Sequence, residues 1–159
     1  MKMNEGVEWA LHSCLNLAWI GADRAVTAAR LAAYHALPTA YLNKQLQALA
    51  RAGLVTSTPG PKGGFRLAKP LERITLMDVV TAIEGPDEAF RCAEIRKQGP
   101  GAQPEAAYRL PCAIAESMAA AELAWRKELA GTTLAQVRER AERRAPNAPG
   151  AIRRWFENS

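Results

Sequence analysis

The sequence predicts a mainly α fold with a small β-hairpin wing: a winged helix-turn-helix followed by a long C-terminal helix suited to dimerisation. Three observations predict it. Two short helical stretches meet at a tight turn, and a Gly/Pro-rich basic hairpin follows them directly. A later helix carries a heptad-like apolar stripe.

Each element follows from local signals. The first helix runs from about Asn4 to Ile20 and ends at Gly21, with Val7, Trp9, Leu11, Leu15, Leu17, Trp19 and Ile20 making it apolar. A second covers roughly Ala28–His35, with Thr27 as its N-cap. "ALPTA" breaks the chain, and a third helix over about Thr39–Ala52 stops at Gly53. Leu42, Leu46 and Leu49 give it an apolar stripe at i, i+4 and i+7. Leu54–Thr58 and Phe65–Ala68 read as strands joined by "PGPKGG". Thr75, Asp78 and Gly85 bracket a fourth helix in "ITLMDVVTAIEG". Pro86–Pro111 has no clear period and reads as a loop. A long helix over about Cys112–Leu129 spaces Ile114, Met118, Ala121 and Trp125 by 4, 3 and 4 residues. Thr132 or Thr133 caps a last helix, and "PNAPGAIRRWFENS" reads as a loose or loosely docked tail. The chain therefore divides into a winged helix-turn-helix at 1–85, a loop at 86–111, a dimerisation helix at 112–130, and a C-terminal helix and tail at 131–159.

Composition narrows the function. Of 159 residues, 48% are apolar, enough for a real core. No apolar run approaches the ~18–20 residues that span a bilayer, and "MKMNEGVEW" does not read as a signal peptide. Three cysteines, an odd number, argue against a disulfide scaffold and for a reducing, cytoplasmic setting. The net charge of +5 is unevenly placed: residues 39–73 hold six basic side chains against Glu72 alone, and "RERAERRA" adds a second basic run. Clustered positive charge is the footprint of a polyanion binder.

That footprint can be placed on residues. With Leu42 and Leu46 inward, the third helix presents Ala40, Lys44, Gln47 and Arg51, flanked by Tyr41 and Asn43. Lys and Arg reach phosphates or guanine edges, and Gln or Asn pairs with adenine. Thr39 and Tyr41 lie near the helix N-terminus, where unpaired N–H groups favour phosphate. Lys62 and Arg66 in the hairpin suit the DNA backbone or minor groove. A solvated helix face with an ordinary basic hairpin is the plain alternative.

A second constellation sits in the first helix. Glu8 and His12 are four residues apart and project from one face. The chain has only two histidines, His12 and His35. Cys14, about 200° round the helix from His12, reads as core. Cys92 and Cys112 flank the irregular loop; their separation of 20 fits no zinc knuckle or ribbon, and no CxxC pair exists. A local Glu–His hydrogen bond is one reading, and a metal site mixing thiolate, imidazole and carboxylate is the other.

"GVEWALHSCLNLA", "RLAAYHALPTAYLNKQLQALARAGLV", "PGPKGGFRLAKPLERITLMDVVTAIEG" and "CAEIR" together resemble the Rrf-two family of bacterial winged-helix regulators, over about residues 1–130. Members include IscR, NsrR and RsrR. The resemblance implies a homodimer paired through its long C-terminal helices, binding to a partly palindromic DNA operator, and usually a 2Fe–2S cluster near the dimer interface. Most cluster-binding members carry three close cysteines after the wing, whereas here Cys92 has no cysteine within the next ten residues. The RsrR-like branch instead uses one loop cysteine, two histidines and a glutamate from both subunits. By position these fall on Glu8, His12, His35 and Cys92, with Trp9 as a residue that responds to cluster charge. Cys112 is then a spare thiol, a replacement ligand or a helix-start residue.

The expectation is a redox-responsive, non-enzymatic transcription regulator, dimeric, with a 2Fe–2S cluster of mixed Cys/His/Glu ligation. The alternatives are a cluster-free regulator sensing by thiol oxidation at Cys92 or Cys112, and, from another class, a metal enzyme using Glu8, His12 and His35. The last lacks an HExxH motif and a second base or nucleophile.

Overall fold

Helix starts in the computed structural model, which describes residues 3–158, fall where side-chain caps put them. Asn4 accepts the Gly6 N–H at 2.5 Å and opens α1 (Glu5–Ile20). Thr27 accepts the Arg30 N–H and opens α2 (Ala28–Tyr34), with His35 as the C-cap. Pro38 precedes α3 (Thr39–Arg51). The wing is β1 (Val55–Thr58) paired antiparallel with β2 (Gly64–Leu67), Val55 opposite Leu67 and Ser57 opposite Phe65. Reciprocal capping boxes, Thr75 with Asp78 and Thr133 with Gln136, start α4 (Leu76–Glu84) and α6 (Leu134–Arg144). Between them lie the loop and α5 (Ala113–Gly131), and α7 (Ala148–Asn158) closes the described chain.

The core gathers on α1. Val7, Ala10, Cys14 and Leu17 are buried, and the helix packs against α3, α4 and α7. Leu42, Leu46 and Leu49 of α3 are fully buried, so the stripe read from the sequence is the contact stripe. Gly6 lets α1 approach α3 closely: a Cβ there would lie 2.6 Å from the buried Gln45 side chain. The wing is tied to the same core by Val26, which exchanges backbone hydrogen bonds with Phe65 at 3.0 and 2.7 Å. Gly64, at φ +134°, faces that bridge, and a Cβ would lie 2.5 Å from the Val26 carbonyl.

The C-terminus corrects the expectation of a loose tail. Residues 148–158 form α7, whose Ile152 and Phe156 are buried in the main core. Ile152, Trp155 and Phe156 recur at i, i+3 and i+4, an amphipathic stripe masked in the sequence by two prolines and a glycine. Pro149 falls in the first turn of α7, where a missing N–H costs no hydrogen bond. Trp155 meets the Tyr34 ring of α2 edge-on at 5.1 Å, and Phe156 packs tilted against it at 5.3 Å. Arg24 and Arg30 both donate to the Phe156 carbonyl, at 2.6 and 2.5 Å.

Helix α5 behaves oppositely. Glu122 is its one buried residue, held by Arg126 and by the Ala89 N–H. Ile114, Met118 and Leu123 are 67%, 42% and 54% exposed. Among the described residues, no helix is long and apolar enough to cross a membrane.

Phe156→Ala should therefore lower stability by about 3–5 kcal/mol, the range for truncating a buried aromatic. Urea unfolding followed by circular dichroism measures it; a change below about 1 kcal/mol would mean that α7 is not part of the core.

Candidate nucleic-acid interface and sensor site

The outer face of α3 and the wing carry the predicted DNA-contacting groups. Thr39, Tyr41, Asn43, Lys44 and Arg51 are exposed, and Gln47 is half-buried. Thr39 and Tyr41 sit in the first turn, where helix N–H groups lack intrahelical partners. Lys62 is exposed on the hairpin turn and Arg66 is half-buried on β2. Both line an open cleft of about 460 Å³ with Arg24, Arg30 and Thr27. Arg24 and Arg30 were not foreseen: they precede the basic segment in sequence and reach the wing only through the fold.

Glu8 and His12 are exposed on α1, away from the buried stripe, and Trp9 lies between them at the margin of the core. They edge a surface cleft of about 490 Å³ lined by Val7, Leu11, Leu15 and Val137. His35, at the end of α2, brings its ring centroid to 5.5 Å from that of His12. Burial lowers the His35 pKa, the His12 charge lowers it further, and Glu8 opposes both. The three groups thus share one local field. Asn16, buried on α1 one turn beyond His12, lies 2.8 Å from His35 through its Nδ2 and the ring Nε2. Its amide can donate to a bare Nε2 or accept from a protonated one, so it orients the ring in either tautomer. An asparagine among helix apolar residues is the signal that would have marked it.

Cys92 is placed elsewhere. Among the described residues, Cys92, Glu94 and Cys112 form a group whose potential ligand atoms all lie within 4.8 Å of one another. Within one chain, then, His12 and His35 are ring neighbours with Glu8 one helical turn from His12 and within electrostatic reach of His35, while the closer donor group is Cys92 with Glu94 and Cys112. Cys92 is exposed and accepts the Glu94 N–H at 3.4 Å. Cys112 is the N-cap of α5, and the Ala115 and Ile114 N–H groups lower its thiol pKa. Cys14 is the core residue that helical spacing implied, and burial pushes its thiol up to about 12.

The long loop returns to its start through Tyr108. Its hydroxyl donates to the Arg96 carbonyl at 2.7 Å and accepts the Gln103 N–H at 2.6 Å. The Arg96 and Lys97 cations both lie 5.4 Å from its ring. Arg96 also grips Glu94 through two hydrogen bonds, at 2.5 and 2.9 Å.

Comparison with known proteins agrees with this architecture. The family model Rrf2, described as an iron-dependent transcriptional regulator, matches residues 3–140. YffB of Lactococcus lactis subsp. lactis, by name an HTH-type transcriptional regulator, is 32% identical over 142 residues, 89% of this chain and 90% of that one. YwgB of Bacillus subtilis, named likewise, is 41% identical over 85 residues, and the chain spans 54% of its length. Among solved structures, oxidized CymR of Staphylococcus aureus is 25% identical over 87% of this chain and 97% of that one, with a TM-score of 0.64. T. potens IscR matches over 91% of each chain with a TM-score of 0.66; at 20% identity that likeness concerns the fold. These relatives are transcriptional regulators rather than enzymes, and the chain belongs to the Rrf2 family of winged-helix transcriptional regulators.

Proposed function

We propose that this chain regulates transcription as a DNA-binding homodimer that senses redox state through a 2Fe–2S cluster held by Glu8, His12, His35 and Cys92, the ligand set of the RsrR branch. The approach of the half-buried His35 ring to His12 at 5.5 Å, with Glu8 one turn away on the exposed face of α1, carries the reading. Two imidazoles and a carboxylate are a chemically suitable partial set, and they lack a thiolate. Cys92 of a second copy would complete it, which is why the reading requires a dimer. The exposed apolar residues of α5 give that dimer a seam. When bound, the cluster supplies a one-electron redox centre, with imidazole ligation favouring a higher potential than thiolate alone.

The chain's own residues supply a route from this face to DNA. Trp9, next to Glu8, meets Tyr41 edge-to-face at 6.2 Å. Tyr41 stands in the first turn of α3, beside the groups assigned to phosphate and base contact. A shift of α1 that moves Trp9 therefore moves the end of the helix that reads DNA. Two such helices must match half-sites about one DNA turn, ~34 Å, apart on a partly palindromic operator, so a small displacement costs affinity. Asn43, Lys44, Gln47 and Arg51 face the groove in this reading, while Thr39, Lys62 and Arg66 hold the backbone.

A second reading, a cluster-free regulator responding by thiol oxidation, is favoured by the proximity of Cys92 and Cys112. CymR, solved in an oxidized form, is a neighbour consistent with it. Histidine substitutions separate the two, since a thiol sensor tolerates losing His12 and His35.

Anaerobically purified protein should be coloured, with about two irons per chain, four per dimer, because each chain's Glu8, His12 and His35 make one site with the other chain's Cys92; colourless, iron-free protein that binds its operator fully would overturn the cluster reading. His12→Ala and His35→Ala should each lower bound iron at least tenfold while leaving the helical circular dichroism signal unchanged. For the DNA face, Lys62→Ala, on the exposed wing assigned to the backbone, should weaken binding and reduce the salt slope of log K by about 1. Operator titration across salt concentrations reads both effects.

A further inference from the structure

We propose that Cys92 and Cys112 form an intramolecular disulfide when the cluster-free chain is oxidised, withdrawing Cys92 from ligand duty. The two sulfurs lie within 4.8 Å of each other, close enough to bond after side-chain rotation, although 20 residues separate them in sequence. Neither is paired, and neither is buried: Cys92 is exposed and Cys112 is partly exposed. The third cysteine, Cys14, is sealed in the core and cannot compete.

The surroundings hold the pair in reach. The Tyr108 hydrogen bonds and the Arg96–Glu94 ion pair fold the intervening loop back on itself, so Cys112 arrives beside Cys92 as α5 begins. Glu94, whose carboxylate lies within 4.8 Å of both sulfurs, sits at φ +49°, a left-handed conformation uncommon for non-glycine residues. Arg96 occupies the Glu94 carboxylate and limits its repulsion of a developing thiolate. Cys92 also lines an open cleft of about 640 Å³ between the loop and α5, which gives a small oxidant access.

With a hydroperoxide as oxidant, the chemistry balances in two steps. The Cys92 thiolate attacks the peroxide O–O bond, forming a sulfenic acid and releasing water from hydrogen peroxide once the leaving hydroxide is protonated. The Cys112 thiolate then attacks the Cys92 sulfur; the S–S bond forms, the S–O bond breaks, and hydroxide leaves as a second water. Two thiols lose two electrons in all, and the peroxide gains them. The disulfide itself is independent of the cluster reading, whereas its consequence for loading rests on Cys92 being a ligand.

The test uses full-length protein made metal-free by chelation and treated with hydrogen peroxide. Two of the three thiols per chain should disappear, and a tryptic digest should contain a reducible species joining peptides 92–96 and 110–126, at monomer mass on a non-reducing gel. Cys112→Ser should abolish that species and leave a dimedone-trappable sulfenic acid at Cys92. Three free thiols after oxidation, or a cross-link between two chains at Cys92, would overturn the proposal. Iron and sulfide are then offered anaerobically to reduced and bridged protein, and the bridged form should take up at least tenfold less iron. Equal uptake by both forms overturns the withdrawal of Cys92; no uptake by the reduced form overturns the cluster reading while the bridged peptide stands.

Discussion

The burial of one face of α1 is the constraint on which the rest depends. Val7, Ala10, Cys14 and Leu17 are fixed against α3, α4 and α7. With 3.6 residues per turn, locking that face inward fixes Glu8 and His12 on the outside. The same lock sets what α1 transmits. Gly6 brings its first turn onto Gln45 of α3, and Trp9 meets Tyr41 a turn later in space. Core contacts, proposed ligands and the contact with α3 thus lie on three faces of one element, and α1 cannot move without disturbing all of them.

His35 reaches the same place by a separate route. It caps α2, and the chain turns immediately after it at Ala36, with φ +52°. The ring lies between Asn16, which holds Nε2, and Tyr34, 4.8 Å away. Tyr34 is in turn backed by Trp155 and Phe156 of α7. The C-terminal helix therefore forms the floor under one of the two histidines. Its own end is anchored by Arg24 and Arg30 on the Phe156 carbonyl. Those arginines also line the wing cleft, so α7 links the floor of the proposed sensor to the proposed DNA surface.

Much of the fold was legible because it is written in local signals. Thr27, Thr75 and Thr133 cap the helices that sequence assigned them, and the Leu42/Leu46/Leu49 stripe is buried as its spacing implied. Strand ends shifted by one residue because pairing with Val26 and the close approach at Gly64 depend on tertiary contact. Helix α7 was missed because Pro149 and Gly150 suggested a break, although Ile152, Trp155 and Phe156 held the period. The site was half legible: spacing put Glu8 and His12 on one face. The approach of His35 to His12, the role of Asn16 and the meeting of Cys92 with Cys112 are long-range facts that no local pattern encodes.

The uneven packing of the two halves bears on how a ligand set can be completed. Around α1 the chain satisfies itself, with buried leucines, capped helices and a helix drawn in from the C-terminus. Helix α5 buries only Glu122 and leaves Ile114, Met118 and Leu123 to solvent, an arrangement that gains little within one chain. The incomplete set of donors follows the same division. Two imidazoles and a carboxylate sit on the rigid half, while the accessible thiols sit where the loop joins α5. In the proposed dimer, a second copy pairing along α5 would cover the apolar residues and supply the thiol that the Glu8, His12 and His35 set lacks. In a single chain the thiol beside Cys92 is Cys112, so assembly and cysteine chemistry are two outcomes of the same unfinished surface.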